Sequence, residues 1–531
     1  MCLRVKEMSK PFSRRDFLNL VGAAGGSAAV FQVTTALGIT PTIEHSITPG
    51  LTPLKGRKCR VILLGAGISA LTSAYELSKA GYECIILEAS HRAGGRNLTL
   101  RQGDFIDEVG NPQQCQFDDA PHLYMNAGAA RIPHTHHKIL AYCKELGVEL
   151  EIFENDNRNA WVQDPKFNLG KPVRSKEYLA DARGFMAELM AKSITPEDLD
   201  APFSELDAEL LLNFIKRYGD LSDAGLYKGS TRAGYLSGGM LSPGIKKGVF
   251  DFSELLKADF WKFRMHWAEA PDQGSPLLQP VGGMDMIVKG FMKKVGHLVT
   301  TGAQVRSIMN KSDSIAVEYE HKGELKQIEA DYCLNCIPTH LVTGLIHNFP
   351  TRYVEGLKAV GRGNLTKIGF QANERFWEKE SIYGGISWTN QDIQQIWYPS
   401  HGIHREKGII LGAYVFGNKN GQMWGELKHE ERIERALLQG EQVHPDYRKY
   451  LSAGVTIPWH RMNHMLGCDS RWSAQARNSY FKVLQQASGR HYMMGDQISY
   501  HPAWQEGAVS SAHFTINEID KREQANRVTS L

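Results

Sequence analysis

The chain has 531 residues, 42% of them hydrophobic and 22% charged, with a formal net charge of +3. That balance suits a soluble globular protein of a few domains with a large core, and it excludes a low-complexity or disordered chain. Near-neutral charge without a long basic run argues against a nucleic-acid partner, and eight scattered cysteines do not make a disulfide scaffold.

The N-terminus carries Ser13-Arg14-Arg15-Asp16-Phe17-Leu18, a twin-arginine pattern, followed by an apolar run over 18–33 rich in glycine and alanine. The run is too short for a stable membrane insertion and reads as the apolar part of an export signal. The route that it addresses carries folded, cofactor-loaded proteins, so a periplasmic or secreted destination is expected. Residues 1–55 are set aside as signal and linker, with prolines and threonines over 41–53.

Next comes the most specific stretch. The apolar strand Val61-Ile62-Leu63-Leu64 enters Gly65-Ala66-Gly67, a helix follows from Ile68 through Ser69 and Ala70 to Lys79, and a second strand ends at Glu88-Ala89. Glycines there permit a tight turn and let backbone N–H groups approach a pyrophosphate, while the helix directs its positive end at the same charge. Glu88 stands at the spacing of a ribose hydroxyl acceptor. Arg92-Ala93-Gly94-Gly95-Arg96 adds two guanidinium groups beside a diglycine, a pair suited to clamping a diphosphate.

Beyond this unit the expected elements alternate. A small-residue loop, Gly128-Ala129-Ala130-Arg131-Ile132-Pro133, precedes a helix over 134–146 and a strand over 148–153. Residues 175–267 read as helical, with apolar spacing over 178–191, 207–218 and 252–258. A helix opens after Pro280 and ends near Gly296, and strands at 304–309, 314–319 and 326–336 form a meander. A mixed region, 351–459, holds strands at 367–372, 394–398 and 409–416 and a helix at 430–438. Finally a strand ends at Gly495-Asp496, and Gly507-Ala508-Val509 lies in the opening of a last helix. No metal is expected. Cys333 and Cys336 sit in an apolar strand without a second pair, and His134, His136 and His137 read as surface histidines.

Over residues 58–525 these motifs resemble the flavin amine oxidase family, and within it the L-amino-acid oxidases. The resemblance implies an α/β fold: a Rossmann-like FAD-binding domain assembled from 58–125, 278–345 and 475–525, a mixed-sheet substrate domain from 126–155 and 346–474, and a helical domain at 156–277. It assigns FAD contacts to Gly65, Gly67, Ile68, Ser69, Ala70, Glu88, Ala89, Arg92, Gly95 and Arg96. It assigns others to Gly128, Ala129, Ala130, Arg131, Val305, Gly495, Asp496, Gly507, Ala508 and Val509.

On the substrate side the resemblance gives Arg131 and Tyr414 a carboxylate to hold, Trp504 an aromatic wall, Tyr398 a place in the pocket lining, and Lys367 a catalytic water. A planar guanidinium gives a carboxylate a two-point grip. For Tyr398 and Tyr414 the competing reading is a core aromatic on a strand. Trp459 is followed nine residues on by Cys468, the spacing at which related monoamine oxidases attach their flavin. Noncovalent FAD is expected, with a link through Cys468 as the alternative. The implied reaction is oxidative deamination of an L-amino acid by oxygen, giving a 2-oxo acid, ammonia and hydrogen peroxide. A flavin 2-monooxygenase giving an amide and carbon dioxide is the runner-up, and an exported flavin-binding protein without turnover is more remote. A homodimer is compatible with this reading.

Overall fold

A computed structural model describes residues 48–54, 58–193, 205–262 and 264–529. The twin-arginine pattern and its apolar run lie outside the described residues. Contacts group Leu51–Leu531 as one unit and Met1–Gly50 as another, and only 48–50 of the latter are described.

Five parallel strands form the nucleotide-side sheet, in the order Val299–Thr301, Glu83–Glu88, Arg60–Leu64, Tyr332–Asn335, His491–Met493. Arg60–Leu64 is central and buried on both faces, which explains its unbroken apolar run. Val61 and Leu63 pack toward the helices Ile68–Lys79, Asp285–Val295 and Gln505–Thr529, through Ile287, Phe291, Val509 and Ile516. Ile62 and Leu64 point the other way, into a cluster with Val305, Ile308 and Val317 of a four-stranded sheet. The result is helices and a second sheet on opposite faces of the parallel sheet.

The expected third strand of the meander, 326–336, is two strands. Glu324–Ala330 stays antiparallel to Ile315–His321, whereas Tyr332–Asn335 joins the parallel sheet beside Arg60–Leu64. The switch falls at Asp331, whose carboxylate accepts the Arg60 N–H at 2.7 Å. The first half is largely polar and exposed, whereas the second is fully buried.

The substrate-side sheet has seven strands, ordered Val173–Arg174, Trp161–Gln163, Gly385–Thr389, Gln395–Tyr398, Gly408–Val415, Thr366–Ala372, Leu451–Pro458. All seven residues of Thr366–Ala372 are buried. The segment expected to be helical, 156–277, does hold the helices Ser175–Ser193, Glu205–Gly219 and Phe252–Lys257. It also supplies one edge strand of this sheet, Val173–Arg174, the strand beside it, Trp161–Gln163, and a hairpin, Tyr235–Ser237 with Ile245–Lys246.

A buried ion pair ties the loop before this sheet to its outer helix. Arg432, on the helix His429–Gly440, donates to both carboxylate oxygens of Glu108 at 2.8 and 2.7 Å, and each side chain is 1% exposed. Removing one partner of such a pair typically costs about 3–5 kcal/mol, because the other charge stays buried.

Candidate active site

One long cavity of about 680 Å³ runs from the glycine turn to the substrate-side sheet. At the first end Gly65 has φ +86°, a left-handed conformation that favours glycine, and its N–H donates to Leu87 O at 2.8 Å. A Cβ placed on Gly67 would meet nothing within 4 Å, so this glycine leaves an open cradle at the helix N-terminus. Glu88 closes the turn. Its Oε2 accepts the Ala66 N–H at 2.6 Å and its Oε1 accepts the Ser90 N–H at 2.8 Å. Each oxygen retains a lone pair for a ligand hydroxyl.

The two arginines of the diglycine run are less free than the sequence suggested. Arg92 folds back to donate to Gly95 O at 2.7 Å and Ala93 O at 3.3 Å. Arg96 pairs with Asp496, four hundred residues away, and donates to Cys468 O at 2.8 Å. Asp496 also accepts the Ala503 N–H at 2.7 Å. Burial raises its carboxyl and Arg96 more than offsets this, holding it below the usual range. Arg362, which sequence reading missed, lines the same stretch. Burial and then Arg96 push its guanidinium down to about 10, and its Nε is buried without a hydrogen-bond partner. A guanidinium on the cavity wall, an open glycine cradle and a carboxylate at the strand end together fit a dinucleotide with a diphosphate.

Gly128 brings the second end of the cavity against the first. A Cβ there would lie 1.6 Å from Arg96 O, so no other residue permits this approach. The loop thereby turns Arg131 into the cavity. Its Nε and Nη2 donate to Gln273 Oε1 at 3.2 and 2.5 Å, and its guanidinium lies 5.1 Å from the ring centroids of both Trp397 and Trp504. Burial lowers its affinity for its proton, and Tyr414 and Asp272 act the other way. Lys367 is 1% exposed and donates to Gly128 O at 2.6 Å and Asn126 O at 3.1 Å. Burial, then the charge of Arg131, pushes it down to about 7. Tyr414 is its register partner on the neighbouring strand, with the ring 4.6 Å from Nζ, and burial raises the phenol.

The cavity wall thus gathers Gly65, Gly67, Ile68, Ser69, Glu88, Ala89, Arg92, Gly95 and Arg96 with the 128–131 loop, Val305, Gly495, Asp496 and Ala508. At the substrate end it gathers Lys367, Tyr414 and Trp504. Four expected contacts are elsewhere. Ala70 and Val509 face the helix–sheet core, and Gly507 packs against the loop before it, where a Cβ would lie 2.1 Å from His501 O. Tyr398 is 2% exposed on the far face of its strand, with its hydroxyl 2.7 Å from Ser387 Oγ and 2.6 Å from His444 Nε2. Successive residues on a strand face opposite ways, and it is Trp397 that faces Arg131. His136 also departs from expectation, being 3% exposed and lining the cavity. Gln273 and Trp267 line it too. Both come from an irregular stretch, so no periodicity pointed to them.

The model of the flavin containing amine oxidoreductase family matches residues 68–515. Among curated proteins, the L-amino-acid oxidase of Pseudechis australis is 24% identical over 498 residues, covering 88% of this chain and 87% of its own. That of Siganus canaliculatus is 24% identical over 490 residues, covering 88% and 86%. Solved structures of similar fold include a redesigned putrescine oxidase (TM-score 0.60, 18% identity, 88% of this chain and 99% of that one). Cyclohexylamine oxidase from Brevibacterium oxydans is another (TM-score 0.59, 14% identity, 88% and 100%).

Proposed function

The chain belongs to the flavin containing amine oxidoreductase family, and we propose that it oxidises L-amino acids with noncovalent FAD and oxygen, releasing a 2-oxo acid, ammonia and hydrogen peroxide. The observation that carries this reading is Arg131: a half-buried guanidinium between two indoles, bonded only to an amide oxygen among the described residues, at the end of the cavity away from the glycine cradle. A simple amine offers such a group nothing to bind, whereas an α-carboxylate fills its fork. The curated relatives carry the same activity in their names.

Bound flavin supplies the two-electron acceptor. The protein's part is orientation and proton control. Arg131 holds the carboxylate and so fixes the α-carbon, and the aromatic walls of Tyr414 and Trp504 limit water around it. Lys367, near the point of half-protonation at neutral pH, is poised to hold or exchange a proton at Nζ, with two of its three ammonium hydrogens already given to carbonyls. The overall balance is amino acid, oxygen and water in, 2-oxo acid, ammonia and peroxide out.

A product assay on a panel of L-amino acids tests this reading. Equal yields of 2-oxo acid, ammonia and peroxide support it, and an amide with carbon dioxide would replace it with the 2-monooxygenase. Export by the twin-arginine route is part of the proposal, supported by Arg14-Arg15 and the following apolar run. Changing both arginines to lysine should leave the enzyme in the cytoplasm.

A further inference from the structure

We propose that His136, Asp272 and His501 form a binding site for one zinc-like transition-metal ion at the mouth of the substrate end of the cavity. The three come from separate stretches of chain, so no sequence motif announced them, and the sequence reading expected no metal. Their ligand atoms all lie within 4.8 Å of one another. His136 Nε2 is 3.0 Å from Asp272 Oδ1, and His501 Nδ1 is 3.9 Å from Asp272 Oδ2. Tetrahedral zinc with bonds of about 2.0–2.1 Å separates its ligand atoms by roughly 3.4 Å, a value that these two distances bracket.

Two imidazoles and one carboxylate favour zinc and its neighbours over magnesium or calcium, which prefer oxygen-only shells. The cluster grades from the cavity wall to solvent: His136 is buried and lines the cavity, Asp272 is part-exposed, and the His501 side chain is 54% exposed. An ion therefore has an entry path, and coordination positions remain for water.

The site is coupled to the carboxylate clamp. Asp272 precedes Gln273, the hydrogen-bond partner of Arg131, and His136 meets Trp504 edge-on at 5.0 Å, the same indole that flanks Arg131. Fixing Asp272 on a metal fixes Gln273 beside the substrate. The coupling, unlike the site itself, rests on the amino-acid reading above.

The test uses flavin-loaded, chelator-treated full-length protein titrated calorimetrically with zinc chloride, with magnesium chloride as control. Wild type should take up one zinc ion and no magnesium. His501→Ala and Asp272→Asn should each weaken zinc by about 10–100-fold or more while keeping the flavin spectrum. Wild-type KM should rise as zinc fills the site, and the KM of His501→Ala should not. No saturable zinc binding overturns the site. Binding unchanged in both variants overturns the ligand assignment. A KM indifferent to zinc, in protein that binds it, overturns the coupling and leaves the amino-acid reading untouched.

Discussion

Arg131 gives two N–H donors, Nε and Nη2, to a single oxygen of Gln273, at 3.2 and 2.5 Å. That amide oxygen is the nearest neutral counterpart of a carboxylate oxygen, and the bond keeps the half-buried guanidinium partnered when no carboxylate is bound.

Replacing Arg131 with alanine should lower kcat/KM for amino acids by about 2–4 kcal/mol, mostly through KM, and leave flavin content intact. Steady-state kinetics with an amino acid and with its decarboxylated amine check this. The loss should be confined to the substrate with the carboxylate, and an equal loss on both would mean that Arg131 holds something else.

Lys367→Met should slow the reductive half-reaction by about 100-fold or more while the flavin spectrum stays near that of wild type. Stopped-flow absorbance of the bound flavin reads it. Reduction at the wild-type rate would remove Lys367 from the chemistry.

The same lysine makes a statement about stability. Burial and Arg131 hold it near 7 in the folded protein, against an ordinary 10.5 when unfolded. Below about pH 7 both states carry the proton, and the buried charge destabilises the fold in full. As pH rises from there to 10.5 the unfolded chain binds the proton and the folded one does not, so stability rises. Urea unfolding of flavin-free protein at about pH 6 and about pH 9 should show Lys367→Met more stable than wild type at the lower pH, with the gap shrinking at the higher. A gap independent of pH contradicts the depressed value.

Two glycines should separate folding from cofactor binding. Gly128→Ala puts a methyl 1.6 Å from Arg96 O and should destabilise by about 3 kcal/mol or more. Gly67→Val fills open space and should leave flavin-free unfolding within about 1 kcal/mol of wild type, yet weaken flavin binding strongly. Thermal unfolding paired with flavin titration distinguishes them.

Cys468 lines the cavity, but burial pushes its thiol up to about 11, so it is a thiol rather than a nucleophilic thiolate at neutral pH. Acid precipitation should therefore release the yellow colour to the supernatant. Colour retained in the pellet would establish the covalent link.

The nucleotide half of the site was legible because its constraints are local. A turn needing φ above zero at Gly65 and an acid at the end of the next strand leave a mark within thirty residues. The pairing of Arg96 with Asp496 was not readable as a contact, although both residues were singled out separately. Strand faces were the weak point. Gln395–Tyr398 and Thr366–Ala372 are buried on both sides, so no polar alternation distinguishes the cavity face from the core face. Lys367 lies on the cavity wall, whereas Tyr398 sits on the far face of its strand and its neighbour Trp397 faces Arg131. Gln273 and Arg362 carried no local signal, since their roles arise only from what the fold sets beside them.

The most direct measurement is anaerobic mixing of the purified flavoprotein with single L-amino acids, alongside the corresponding decarboxylated amines, while flavin absorbance is followed. The proposal predicts rapid bleaching by at least one L-amino acid, little by its amine, and loss of that preference in Arg131→Ala. Bleaching by the amines at equal or greater rates, or by none of the amino acids, would contradict it.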